Sequence, residues 1–243
     1  MRNPRLTARN PRLTARNPRL TARNPRVSVR NPRVSVRNPR VTVLNPRVSV
    51  GGGRRVAGMV AWDAMVLAGG RGSRLGGVDK AALVVGDSSL LDRTLHAVRD
   101  AGRVVVVGDV DAPGAVVVQE SPRHGGPAAA VGAGLAEVTA PYVLLVGCDQ
   151  PFVADALETL LGEADGDGVV AIDAGGRRQH LMTVASTTAL RASATALGDL
   201  DGQSLRALLA PLALREVAVP ARSALDIDTW DDHERARTEE GRA

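Results

Sequence analysis

The stretch Trp62-Asp63-Ala64-Met65-Val66-Leu67-Ala68-Gly69-Gly70-Arg71-Gly72-Ser73-Arg74-Leu75-Gly76-Gly77-Val78-Asp79-Lys80 decides how the rest of the chain is read. The largely apolar run from Trp62 to Ala68 reads as a buried strand. It opens into a glycine-rich loop that carries Arg71 and Arg74 and ends at Lys80. Glycines let backbone N–H groups approach a ligand closely, and successive N–H groups form an anion-binding concavity. The physical reading is a phosphate cradle. Lys80 is the only lysine in the sequence, against thirty arginines. A lone lysine in that background points to a place where a compact point charge is needed.

Neither standard phosphate motif accounts for the loop. A Walker loop needs Ser or Thr after its lysine, and Lys80 is followed by Ala81. A dinucleotide fingerprint needs G-x-G-x-x-G, and Gly70 and Gly72 are followed by Gly76, one residue too late. Leu67-Ala68-Gly69-Gly70, Ser73-Arg74-Leu75-Gly76 and Asp79-Lys80 do resemble the signature loop of nucleotidyltransferases of the sugar-nucleotide type. The ending Gly76-Gly77-Val78-Asp79-Lys80 most resembles the molybdenum cofactor guanylyltransferase family, over roughly residues 60–240.

A second candidate follows the run Tyr142–Val146, where Gly147 and Cys148 lead to Asp149-Gln150-Pro151-Phe152. A carboxylate at the tip of a buried strand suits Mg²⁺, which takes one or two carboxylates plus substrate phosphates. Asp149 could equally cap a helix beginning at Pro151. The four residues also resemble the family's Asp-x-Pro-Phe metal motif. Near the C-terminus, Asp226-Ile227-Asp228-Thr229 resembles the closing motif before the family's last helix. Asp226 or Asp228 could add a second metal carboxylate, or Asp228 could simply cap that helix. Trp230 stands where the family usually has proline.

The resemblance implies transfer of GMP from GTP to molybdopterin with Mg²⁺ as cofactor and release of pyrophosphate. Lys80 and Arg74 would be catalytic. Leu67, Ala68, Gly69, Gly70 and Lys80, with Gly126 and Pro127 opening a helix beside the base, would bind the nucleotide. Asp149 and Asp228 would hold the metal, and Arg177–Leu181 would face the acceptor. Molybdoenzymes and cofactor-biosynthesis proteins are the implied partners. Glu120 and His124 are read as solvated loop residues. Two alternatives stay open: a cytidylyl- or sugar-phosphate nucleotidylyltransferase on the same scaffold, and a non-catalytic nucleotide-binding accessory protein.

Residues 2–50 are seven consecutive seven-residue units starting at Arg2, Arg9, Arg16, Arg23, Arg30, Arg37 and Leu44. Each contains Asn-Pro-Arg, and a proline in every unit forbids a continuous helix. The segment has no acid and no aromatic, so 1–58 is expected to be a disordered Arg/Pro repeat. It reads as a basic arm, as a targeting peptide, or as a translated tandem DNA repeat upstream of a true start near Met59. The last is favoured, because near-identical units look like copied DNA.

The tail also explains the charge. Of 31 Lys and Arg, fifteen arginines fall in 1–58, so residues 59–243 carry sixteen against 26 acids, a net of −10. An acidic domain is a poor holder of nucleic acid. No apolar run is long enough for a membrane span, and the single Cys148 allows no internal disulfide. A cytoplasmic setting is therefore expected.

Residues 59–243 are expected to form one α/β domain, a three-layer Rossmann-like nucleotidyltransferase with a mostly parallel central sheet. Helices are expected from Ser88 or Ser89 to Arg99 and over Gly126–Val138, Pro151–Leu161, Thr187–Ala196, Gln203–Leu209 and Trp230–Arg237. Buried strands are expected at Arg103–Val107 and Ala115–Val118, and a hairpin at Val169–Asp173 and His180–Ala185.

Overall fold

The apolar runs Trp62–Leu67 and Tyr142–Gly147 lie side by side within one sheet, and the valine runs Val104–Val107 and Val116–Val118 extend it to one edge. The computed structural model describes residues 60–69, 75 and 78–242. The heptapeptide repeat of 1–58 lies outside the described residues, as do Gly70 and Arg74 of the signature loop. Strand β1 is Trp62–Leu67, β2 Val84–Val85, β3 Ser88–Ser89, β4 Val104–Val107 and β5 Val116–Val118. Strand β6 is Tyr142–Gly147, β7 Gly168–Ile172, β8 Arg178–Ser186 and β9 Arg215–Ala218. The helices are α1 Leu90–Ala97, α2 Pro127–Leu135, α3 Ala154–Gly162, α4 Thr187–Leu197, α5 Leu205–Leu209 and α6 Trp230–Glu240.

The seven-stranded sheet has the order β5-β4-β1-β6-β8-β7-β9. Its pairings are parallel except those of β8, which runs antiparallel to both β6 and β7. Every residue of β1 is buried, as a central strand covered on both faces requires. Ala64 and Val66 enter one core with residues of α1 and α3, such as Leu91 and Leu157. Met65 and Leu67 enter the other with Val131 of α2, Leu190 of α4 and Leu208 of α5. Two cores on opposite faces make the three layers. Each fully buried side chain such as Leu144 or Leu145 contributes roughly 1.5–3 kcal/mol of transfer free energy.

The charge inside β1 is accounted for. Asp63, 1% exposed, accepts hydrogen bonds from the Thr139 and Ala140 backbone N–H groups at 2.6 and 2.8 Å. It thereby ties the start of β1 to the loop before β6. Helix α2 sits close on the sheet because Gly134 faces β1 and β4. A Cβ there would fall 2.7 Å from the Met65 methyl and 3.1 Å from Val107.

Several boundaries differ from those expected from sequence. β5 is the sheet edge rather than a fully buried strand, and Val117 is 43% exposed there. The third helix begins at Ala154, since Pro151 to Val153 form a turn. α6 runs past Arg237 to Glu240. The expected hairpin is present, but three residues of β8 bulge out: Thr183 pairs Val170 while Gln179 pairs Ala171. The edge strand β9 and the short β2–β3 ribbon are additions that the sequence pattern does not announce. Among the described residues no helix is long and apolar enough to cross a membrane.

Candidate active site

The carboxyl ends of β1 and β6 lie side by side, and the loops leaving them build the site. β1 and β6 pair in parallel from Trp62–Tyr142 to Leu67–Gly147, and the Cys148 N–H donates to Leu67 O at 3.1 Å. Ala68 N–H donates to Val107 O at 2.9 Å, so the loop leaves β1 along β4. Gly108 permits this: a Cβ there would come within 2.9 Å of Ala68 O. Sequence reasoning misses this glycine, because nothing local marks a close approach between two loops.

Lys80 opens a single 3-10 turn, Lys80–Ala82, whose N-cap Asp79 accepts from Ala81 N–H at 3.0 Å. The cap and the buried Ala81 anchor the end of the glycine loop. The Lys80 ammonium donates to Asp228 Oδ1 at 2.5 Å and lies 3.5 Å from Asp149 Oδ2. Lys80 and Asp228, 148 positions apart in the chain, thus meet in the site. A backbone contact brings the two acids together: Ile227 N–H donates to Asp149 O at 3.0 Å, while the Ile227 side chain is fully buried. Ile227 belongs to a small third core with Leu75, Leu83, Val85, Leu90, Phe152 and Ala236. That core binds together the loops carrying Lys80, Asp149 and Asp228.

Both capping alternatives are displaced by other residues. The N-cap of α3 is Val153, with no side-chain cap. The N-cap of α6 is Thr229, which forms a capping box with Asp232. Neither Asp149 nor Asp228 caps its helix, and both carboxylates turn to Lys80. Asp226 is exposed and reaches the group through its charge.

The electrostatics follow from this packing. Burial pushes the Asp149 carboxyl above the usual range; the Lys80 charge opposes it, and Asp226 and Asp228 add to it. Burial works against the Lys80 ammonium, but its hydrogen bond to Asp228 and the charges of Asp149 and Asp228 outweigh it, so its pKa is raised. Lys80 is therefore a fixed positive charge at neutral pH. Burial, reinforced by the charge of Asp149, pushes the neighbouring Cys148 thiol up to about 12, so it is no thiolate nucleophile.

Two carboxylates converging on one cation form a hard-oxygen donor set of the kind Mg²⁺ uses when phosphates complete its shell. No group of three or more His, Cys, Asp or Glu among the described residues is arranged to hold a metal unaided. Asp149 and Asp228 fit an ion that arrives with substrate. Gly147 makes room for them, since a Cβ at that position would overlap Asp149 Oδ1. The Gly147→Ala variant is expected to fold but to lose about 10²-fold in turnover, as misplaced reacting groups do. Parallel measurement of kcat and thermal midpoint checks this, and retained turnover would remove the steric argument.

The remaining expected residues fall into place unevenly. Leu67 ends β1, Ala68 follows it, and Gly69 is exposed beyond them. Gly126, at φ 93°, caps α2, with Pro127 as its first residue. They follow β5 at the same carboxyl edge of the sheet. They are held by Gly202 N–H to Gly125 O at 2.8 Å and Ala128 N–H to Gln203 O at 3.4 Å. No described contact joins them to Lys80. Gly70 and Arg74 lie outside the described residues. The antiparallel pairing of β6 with β8, which reaches Val146–Met182, brings Leu181 beside Gly147, so the Leu181 end of the Arg177–Leu181 segment approaches the Asp149 tip. His180 there is half-buried, and burial together with Arg178 and Arg206 holds its pKa low. His124 is exposed and donates its N–H to Glu120 Oε1 at 2.9 Å, as a loop contact.

Comparison with known proteins places the fold. A molybdenum cofactor guanylyltransferase from Ralstonia nicotianae is 38% identical over 113 residues, covering 41% of this chain and 54% of the relative. One from Shewanella woodyi is 26% identical over 148 residues, covering 56% and 74%. The chain thus spans about half the length of the first curated relatives it matches. Among solved structures, molybdopterin-guanine dinucleotide biosynthesis protein A from Archaeoglobus fulgidus superposes with a TM-score of 0.60 at 19% identity, over 74% of this chain and 100% of that one. The 2-C-methyl-D-erythritol 4-phosphate cytidylyltransferase from Thermus thermophilus gives 0.54 at 22%, over 74% and 98%. At those identities the likeness is one of fold. Residues 64–217, from β1 to β9, match the MobA-like NTP transferase domain, and the chain belongs to that family.

Proposed function

We propose that this chain is a Mg²⁺-dependent nucleotidyltransferase that joins GMP from GTP to a molybdopterin-type acceptor. The observation that carries the proposal is the meeting of Lys80 with Asp149 and Asp228 beyond the carboxyl ends of a mostly parallel sheet, where such folds bind ligands. The names of the curated relatives support guanylyl transfer and a molybdenum cofactor acceptor.

The proposed reaction is an in-line displacement. An acceptor phosphate oxygen forms a bond to the α-phosphorus of GTP as the bond to the bridging oxygen of the β-phosphate breaks, and pyrophosphate leaves with the electron pair. Mg²⁺, held by Asp149 and Asp228, would neutralise phosphate charge and align the two ends of the displacement. Lys80 lends a preorganised positive charge to the α-phosphate as negative charge builds there. Arg74 is proposed to act with it. The glycine loop after Ala68 cradles the phosphates, and the backbone at Gly126 and Pro127 reads the base edge. The proposed setting is the cytoplasm, with molybdoenzymes or cofactor-biosynthesis proteins receiving the product.

Pyrophosphate release from GTP, CTP, UTP and ATP tests the reading, with molybdopterin and with sugar phosphates as acceptors. GTP with molybdopterin is expected to give the fastest release, and GTP to bind tighter than CTP in calorimetric titrations with Mg²⁺. Faster turnover of CTP with a sugar or alditol phosphate would move the protein to the cytidylyl reading. Tight nucleotide binding with no release on any acceptor would leave the non-catalytic reading.

A further inference from the structure

Arg93 lies on α1, which packs against the Lys80–Ala82 turn, and its guanidinium is the hub of the loop that carries Asp149. Nε donates to Pro151 O at 3.2 Å. Nη1 donates to Val85 O at 3.1 Å and to Glu240 Oε1 at 2.8 Å, while Nη2 donates to Glu240 Oε2 at 2.8 Å. The guanidinium carbon also lies 5.5 Å from the centroid of the Phe152 ring. A second guanidinium, Arg222, lies 5.4 Å from the same ring and is itself held by Asp155 at 2.5 Å.

The consequence concerns Asp149. Its backbone is held by Ile227 N–H at one point and, two residues on, by Arg93 at Pro151. An aspartate side chain is short, so its carboxylate goes where these backbone contacts put it. The bidentate pair with Glu240 is planar and orientation-specific, and so fixes the guanidinium that fixes Pro151. Helix α6 thus meets the site from both ends. Thr229 caps it just beyond Asp228, and Glu240, about 16 Å further on, orients Arg93.

We propose that Arg93, oriented by Glu240 of the C-terminal helix, is a positioning residue that sets the Asp149 carboxylate for metal and phosphate. This inference rests on the nucleotidyltransferase reading of the site. Partners that orient metal ligands typically matter by 10–100-fold in metal affinity. Arginine is needed because one ammonium cannot serve Pro151 O, Val85 O and two Glu240 oxygens at once.

The test uses the full chain and reads metal binding without turnover. Mn²⁺ retention by the GTP-bound protein, with no acceptor present, is followed by electron paramagnetic resonance for wild type, Arg93→Gln, Arg93→Lys, Glu240→Gln and Asp149→Asn. GTP affinity in EDTA and the thermal midpoint are measured alongside. About tenfold weaker Mn²⁺ retention is expected in both Arg93 variants. A smaller loss is expected in Glu240→Gln, and metal-free GTP affinity should stay unchanged throughout. Mn²⁺ retention within twofold of wild type in folded Arg93→Gln, or full rescue by Arg93→Lys, overturns the proposal. If the Arg93 variants do not fold, unaltered retention in Glu240→Gln overturns it, as does wild-type retention in Asp149→Asn. Absence of nucleotidyl transfer in the wild-type panel would remove the proposed reaction without altering this metal readout.

Discussion

Asp149→Asn is expected to lower pyrophosphate release by on the order of 10²–10³ and to abolish its dependence on added Mg²⁺. The two effects have one cause. Asparagine keeps the size of the side chain, and the backbone carbonyl that accepts Ile227 N–H is untouched, so the juxtaposition with Asp228 survives. Lys80 also keeps its 2.5 Å bond to Asp228. What is lost is the charge that would hold the metal. Burial already disfavours that charge, as the raised pKa of Asp149 shows, so its removal should leave the thermal midpoint without metal unchanged or higher. The opposed pattern, lower activity with no gain or constancy in stability, would describe a structural aspartate. Turnover within a few-fold of wild type across a Mg²⁺ titration would withdraw Asp149 as a metal ligand.

The parts legible in the sequence were those whose cause is local. β1, β4 and β6 read correctly because strands covered on both faces become continuous apolar runs. Ser88 and Ser89 are both legible as caps, and the structure uses Ser89, whose partner, Asp92 N–H, is three residues away. The edge strand β9, Arg-Glu-Val-Ala, escaped because only Val217 of the four is buried and no alternation stands out. The role of Asp228 stayed open for a related reason. Asp before a helix suits a cap and a metal equally, and only the capping box of Thr229 with Asp232 shows that the cap lies elsewhere and that Asp228 turns to Lys80. Nothing local marks Arg93 on its helix. Its partners Pro151 and Glu240 are 58 and 147 residues away, and no periodicity encodes such a meeting.

Lys80 allows charge and shape to be separated, because its two partners can be read independently of turnover. Lys80→Arg keeps the positive charge but replaces a compact ammonium by a planar fork. At 2.5 Å from Asp228 and 3.5 Å from Asp149 the ammonium fills the space between two carboxylates, and the fork must push one of them aside. The expected loss of turnover is on the order of 10²–10³, the usual cost of removing one preorganised electrostatic contact. Lys80→Ala should lose at least as much, but for a different reason. There Asp149 and Asp228 face each other without a cation between them, and two neighbouring carboxylates repel. Divalent metal should relieve that repulsion, so Mg²⁺ is expected to raise the thermal midpoint of Lys80→Ala more than that of wild type. Turnover should nevertheless stay low at saturating Mg²⁺, because metal bound at the acids cannot replace a charge at the α-phosphate. Recovery of Lys80→Ala at high Mg²⁺ would make the lysine a mere placeholder for metal. Near wild-type turnover in Lys80→Arg would show that any cation suffices, and the need for this chain's single lysine would be gone.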